Sequence, residues 1–253
     1  MTSAERAFQR EARARWERAR RTEISYGRQL RSVAQQVAQI LKGFSPEYIA
    51  HNMGELEAIL RQYSHTLTPW ARSVATRMIM EAGRRESQAW RELTKSLGGA
   101  LTQQLKPGAL LGTLIRQELD YEAGLITSLP LVAAERVRNL TIERLSKGLR
   151  FETYAKELAK TAEITKGRAT LIARTETART AALLTERRSE SIGATHYRWL
   201  TTGDANVRSL HKKLNNRIFR WDDPPVSGES GERSNPGQIY NCRCIAIPIL
   251  PKV

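Results

Sequence analysis

Asp204, His211, Cys242 and Cys244 are the residues of this chain whose types best suit site chemistry, and they fall in one C-terminal stretch. Both of the chain's cysteines are among them. Thiolate and imidazole are preferred zinc donors and a carboxylate can complete a tetrahedron, so the four form a possible ligand set. The spacing is poor for it, because zinc thiolate pairs usually bracket two or more residues and these bracket only Arg243. Alternation along a strand would still turn both cysteines to one face and Arg243 to the other. The preferred reading is of two small buried hydrophobes, with no metal and no cofactor.

A second chemistry is nucleophilic. A thiolate near His211 and Arg243 would be activated by positive charge, with Asp204 orienting the imidazole. No glycine-rich oxyanion turn accompanies the cysteines, and a strand interior is a poor platform for an exposed nucleophile, so no catalytic residue is assigned. Upstream, Arg174, Glu176 and Arg179 lie within two helical turns, where Glu176 and Arg179 can pair at i, i+3. They read as an ion-pair network docking a helix against the C-terminal module, with Arg208 or Arg243 as partners. Trp199 and Trp221 read as packing anchors rather than nucleobase platforms.

The elements that must position these residues are mostly helical. Residues 1 to about 180 carry helical apolar spacing, and the first helix extends to Lys42, on the order of 60 Å if continuous. Its front half has few apolar residues and is expected to project or to lie along a partner. Ser45-Pro46 and Thr68-Pro69 each read as a cap and first helical residue. Lys106-Pro107-Gly108 and Ser128-Leu129-Pro130 read as helix ends. After Gly193, His196–Leu200 and Arg217–Trp221 alternate like strands, Val207–His211 fits a short helix, Asp222–Gly237 is a loop, and Ile239–Ile249 resumes β-like alternation. The expected fold is mainly α with a C-terminal α+β module: an elongated basic helical region over 1–144, then a small mixed domain over 145–253.

Charge points to the partner. The formal net charge is +15 and the pI about 10.3, which attracts polyanions at long range. Arg6, Arg10, Arg13, Arg15, Arg18, Arg20 and Arg21 make the first helix the candidate surface for non-specific contact with double-stranded DNA. An i, i+2 cysteine pair staples nothing distant, which favours a reducing interior. No apolar run approaches membrane-spanning length.

The order Ala173-Arg174-Thr175-Glu176, Trp199, Asp204-x-x-x-Arg208-x-x-His211 and Asn241-Cys242-Arg243-Cys244 resembles the Mu F-like family of phage minor head proteins. The resemblance covers about residues 145–250. It implies a virion protein for head morphogenesis, made in the bacterial host cytoplasm and carried in the head interior or at the portal vertex. Implied partners are the portal protein, a major capsid or scaffold protein, and DNA during packaging or ejection. One departure is Leu214-Asn215-Asn216 where an acidic-glycine turn is usual, and asparagine can supply the positive φ of such a turn. The alternative is a virion-carried enzyme, nuclease-like or a cysteine-dependent transferase, using the Asp/His/Cys cluster.

Overall fold

The computed structural model describes residues 3–94 and 109–250, with the side chains of 3–11 and of several residues around 93–114 outside that description. The elements are α1 (Ser3–Lys42), α2 (Pro46–Thr94), α3 (Ala109–Lys147), α4 (Phe151–Ser191), β1 (His196–Leu200), α5 (Ser209–Leu214), β2 (Ile218–Arg220) and β3 (Ile245–Ile249). The expected fold class holds: long helices first, then a small sheet. The expected helix end at Lys106-Pro107-Gly108 lies outside the described residues.

Ser45 caps α2 as its type predicts, its Oγ accepting from Tyr48 N at 3.2 Å. The other two proline signals are corrected. Pro69 lies inside α2 and Pro130 inside α3, and neither ends its helix. An internal proline costs about 3 kcal/mol, but the buried stripe runs straight across each: Leu67, Ala71, Val74 and Ala75 in α2, Ile126, Leu129, Ala133 and Val137 in α3. Burying that many apolar side chains outweighs one lost hydrogen bond and one clash. Ser64 Oγ also donates to the Thr127 carbonyl at 2.8 Å, in the turn before Pro130. The irregular point of α2 is Asn52, at φ −125° and ψ 33°.

The chain forms two compact units that interleave in sequence. One unit comprises 25–76 and 119–173. Four helical segments there enclose Val37, Ile49, Leu56, Leu60, Val137, Leu140, Tyr154 and Leu158. Its buried polar groups pair internally: Tyr26 Oη donates to Glu122 at 2.9 Å, and Thr141 meets the Tyr154 hydroxyl at 2.9 Å.

The other unit comprises 1–24, 77–118 and 174–253. Its sheet has the order β2-β1-β3, antiparallel throughout, with Tyr197 opposite Phe219 and Pro248. Pro248 is tolerated because β3 is an edge strand. Tyr197 and Trp199 alternate onto one face and pack with Leu214, Trp221, Cys242 and Cys244. Leu200 and Ile247 pack instead with Ala12, and Trp16 joins them. Ala12 and Trp16 in the front half of α1 therefore pack on the sheet of their own unit, where the sequence suggested a helix that projects.

Candidate functional site

The site is built where α4, α5 and the Asn241–Cys244 turn converge. Asn241 adopts φ 55°, a left-handed conformation that asparagine tolerates better than most residues. Cys242 N donates to the Ile239 carbonyl at 3.1 Å. The strand expected from Ile239 onward begins only at Ile245, so the cysteines sit on a turn, where the left-handed residue interrupts pleating.

Arg174 and Thr175 of α4 hold that turn. Asn241 N donates to Thr175 Oγ1 at 3.1 Å, and Arg174 donates to Asn241 Oδ1 at 3.3 Å and to Glu23 at 3.4 Å. Glu176 accepts from Arg179 Nε at 2.6 Å, and Arg179 also pairs with Glu118. An ion-pair network on α4 is present as predicted, but its further carboxylates are Glu118 and Glu23. Arg208 and Arg243 are committed elsewhere: Arg208 donates to the Tyr240 carbonyl at 2.9 Å, and Arg243 lies 3.3 Å from Asp204. The distant glutamates carry no local sequence signal that singles them out.

His211 is buried on α5. Its Nε2 lies 2.9 Å from the Ser227 carbonyl. A carbonyl only accepts, so in the neutral ring Nε2 carries the proton and Nδ1 presents its lone pair. Nδ1 faces Cys244 Sγ at 3.4 Å and Cys242 Sγ at 3.6 Å, and Trp199 stands edge-on to the ring at 5.4 Å between centroids. Asp204 does not orient the imidazole as the nucleophilic alternative requires. That carboxylate caps its own turn, accepting from Asn206 N at 2.9 Å, and pairs with Arg243. Ser227, inside the loop after β2, orients the imidazole instead, through a backbone atom that no side-chain motif reveals.

The two thiols are buried, at 3% and 5% exposure, and chemically unequal. Cys242 is held well below the usual thiol range, first by the hydrogen bond from Cys244 and then by His211. Cys244, the donor in that pair, is pushed up. His211 is raised, chiefly by its contact with Cys242.

The loop over the site is fastened to α4. Asn235 and Gln238 amides donate to Glu186 at 3.1 and 2.5 Å. Gly237, at φ 84°, passes so close that an added Cβ would meet Cys244 O at 3.1 Å and Ala178 O at 3.3 Å. Trp199 is fully buried and Trp221 nearly so, with Tyr197 and Trp221 rings 4.4 Å apart, so both tryptophans pack. A polar cavity of about 370 Å³ opens onto Arg174, Asp204, Arg208, His211, Asn241 and both cysteines.

The predicted DNA-facing arginines divide. Arg15 is buried beside Glu86 at 3.7 Å, and Arg18 pairs with Glu92 at 3.1 Å with 13% of its side chain exposed. Both are corrected: they neutralise glutamates within their own unit and are not presented to a phosphate. Arg13, Arg20 and Arg21 are exposed, Arg13 pairing with Glu17 at 3.1 Å. The side chains of Arg6 and Arg10 lie outside the described residues.

The site's sequence segments coincide with a known family. Residues 135–247 match the family described as Phage Mu protein F like protein. Over these residues, a little under half of the chain, the sequence is similar to the Mu F-like family. The Mu F-like match includes every motif residue from Arg174 to Cys244, and the family is one of phage head morphogenesis. The chain is also similar to an uncharacterized protein of Haemophilus influenzae (strain ATCC 51907 / DSM 11121 / KW20 / Rd), 30% identical over 126 residues. That similarity covers 50% of this chain and 27% of the relative, so the chain spans about a quarter of the curated protein it matches. No solved structure matches significantly. Among the described residues no helix is long and apolar enough to cross a membrane.

Proposed function

We propose that this chain is a minor, non-enzymatic component of a phage head, associated with the portal vertex or head interior. The observation that carries the reading is the Mu F-like match over 135–247. The structure gives those motifs a mechanical sense: Arg174 and Thr175 grip Asn241, Asp204 pairs with Arg243, and Arg208 holds the Tyr240 carbonyl. Residues far apart in sequence lock one turn, as suits a module that presents a fixed surface to other head proteins. The stretch 145–253 is the assembly module in this reading, and 1–144 supplies its helical remainder.

Portal protein and major capsid or scaffold protein are the proposed partners. Double-stranded DNA is a further one, met through Arg13, Arg20 and Arg21 during packaging or ejection. The net charge of +15 supports a polyanion partner. The enzymatic alternative requires a substrate to reach Cys242, which is 3% exposed.

The test is assembly. Head genes are expressed with and without the portal gene, and procapsids are purified and probed for this chain. Retention that depends on the portal is the expected result. Equal absence from both particle types, with the chain folded and soluble, refutes the assignment.

A further inference from the structure

The turn that the assembly reading treats as mechanical also carries an unassigned donor set. We propose that His211 Nδ1, Cys242 Sγ and Cys244 Sγ hold a thiophilic divalent cation of the zinc class. This inference is independent of the virion role.

The argument rests on lone pairs and distances. The three donor atoms lie within 4.8 Å of one another and all three residues are buried. Zinc at about 2.3 Å from sulfur and about 2.0–2.1 Å from nitrogen sets tetrahedral S···N separations of about 3.6 Å. The observed separations are 3.4 and 3.6 Å. One imidazole nitrogen has one lone pair and accepts fully from only one thiol, and Cys244 spends its hydrogen on Cys242, so the 3.4 Å approach of Cys244 Sγ to Nδ1 is not itself a hydrogen bond. A cation between the three atoms uses both sulfurs and that lone pair at once.

The surroundings are those of a ligand set. His211 donates its other ring nitrogen to the Ser227 carbonyl at 2.9 Å, the contact by which metal-bound histidines are held in tautomer and orientation. Cys244 N donates to Cys242 Sγ at 3.4 Å, which stabilises a coordinating thiolate. Trp199 supports the imidazole from the side. A pair of cysteines one residue apart is short for zinc in a strand, but the left-handed Asn241 begins a turn that brings both sulfurs to the same nitrogen. The fourth ligand is a water or an anionic group entering from the cavity, which His211 and both cysteines line.

The full chain, expressed in zinc-supplemented medium and purified without chelator, is analysed by elemental mass spectrometry and zinc X-ray absorption. About one zinc per chain is expected, with two sulfur scatterers near about 2.3 Å. After chelation, added cobalt should give the thiolate charge-transfer absorption of a tetrahedral site. Cys242→Ser, Cys244→Ser and His211→Asn should each lower retained zinc at least about tenfold. A wild-type chain that is folded by circular dichroism yet retains no zinc and gives no cobalt charge-transfer band overturns the proposal. So does zinc coordinated without sulfur. These wild-type readouts decide the matter even if the variants fail to fold.

Discussion

Asn241 N donates to Thr175 Oγ1 at 3.1 Å while the Asn241 backbone stands at φ 55°. A left-handed residue costs most side chains about 1–2 kcal/mol, and here the cost falls where the helix of one motif meets the turn of the other. Asn241→Ala should therefore destabilise the protein by about 2 kcal/mol, adding backbone strain to the lost Arg174 contact. Asn241→Gly should cost less, since glycine relieves the strain. Urea unfolding of the two variants checks the order, and a glycine variant as unstable as the alanine one contradicts it.

Trp16 Nε1 donates to the Arg243 carbonyl at 3.0 Å. Trp16→Phe should cost about 1 kcal/mol from the lost bond, and Trp16→Ala about 2–3 kcal/mol as packing against Leu200 and Ile247 is lost too. A free N-terminal arm would show no change in melting for either substitution.

Arg15 and Glu86 form a buried pair that Thr185 supports, its hydroxyl donating to Glu86 at 2.8 Å. Glu86→Ala leaves Arg15 without that partner and should destabilise by about 3 kcal/mol. The same geometry sorts the arginines for nucleic acid. If three phosphates are neutralised by Arg13, Arg20 and Arg21, the log–log salt dependence of duplex binding has a slope of about −3. Alanine at Arg20 and Arg21 together should flatten it by about 2, whereas Arg15→Ala should lower stability instead. Unchanged slope in the double variant removes these side chains from any DNA contact.

Glu186 is raised above the ordinary carboxyl value, chiefly by burial, while Gln238 and Asn235 pull the other way. A raised folded value means the native state binds the proton more tightly, so the contribution is full below the unfolded carboxyl range and fades as pH rises through the folded value. The stability of wild type minus that of Glu186→Gln should therefore fall between about pH 4 and pH 7. Urea midpoints at both pH values measure it, and a difference that grows with pH has the wrong sign.

Gly237 sits against Cys244 and Ala178 at φ 84°. Gly237→Ala meets both forbidden backbone and occupied space, and should cost at least about 2 kcal/mol. A thermal melt equal to wild type shows that the loop has room to shift.

Local chemistry made much of this fold legible. Alternation gave β1, the Ser45 hydroxyl gave the start of α2, and Asn216 takes the positive φ, 65°, that the departure at Leu214-Asn215-Asn216 required. Prolines misled because a local breaker was weighed without the buried stripe on both sides of it. The site was legible as a set of residue types and not as contacts. Ser227 acts through its carbonyl, Glu118 and Glu23 lie far away in sequence, and Asp204 turned out to face Arg243. Such pairings are decided by tertiary packing, which short-range spacing does not encode.

The clasp between Trp16 and Arg243 joins residues 227 positions apart. At about 5–20 residues per second, synthesis separates the two by on the order of 10–50 s. Through that interval the front half of α1 has been made but the sheet on which Ala12 and Trp16 pack has not. A nascent chain thus lacks the finished module until Arg243 has been made, and a product interrupted before that point keeps Trp16 without the carbonyl that holds it.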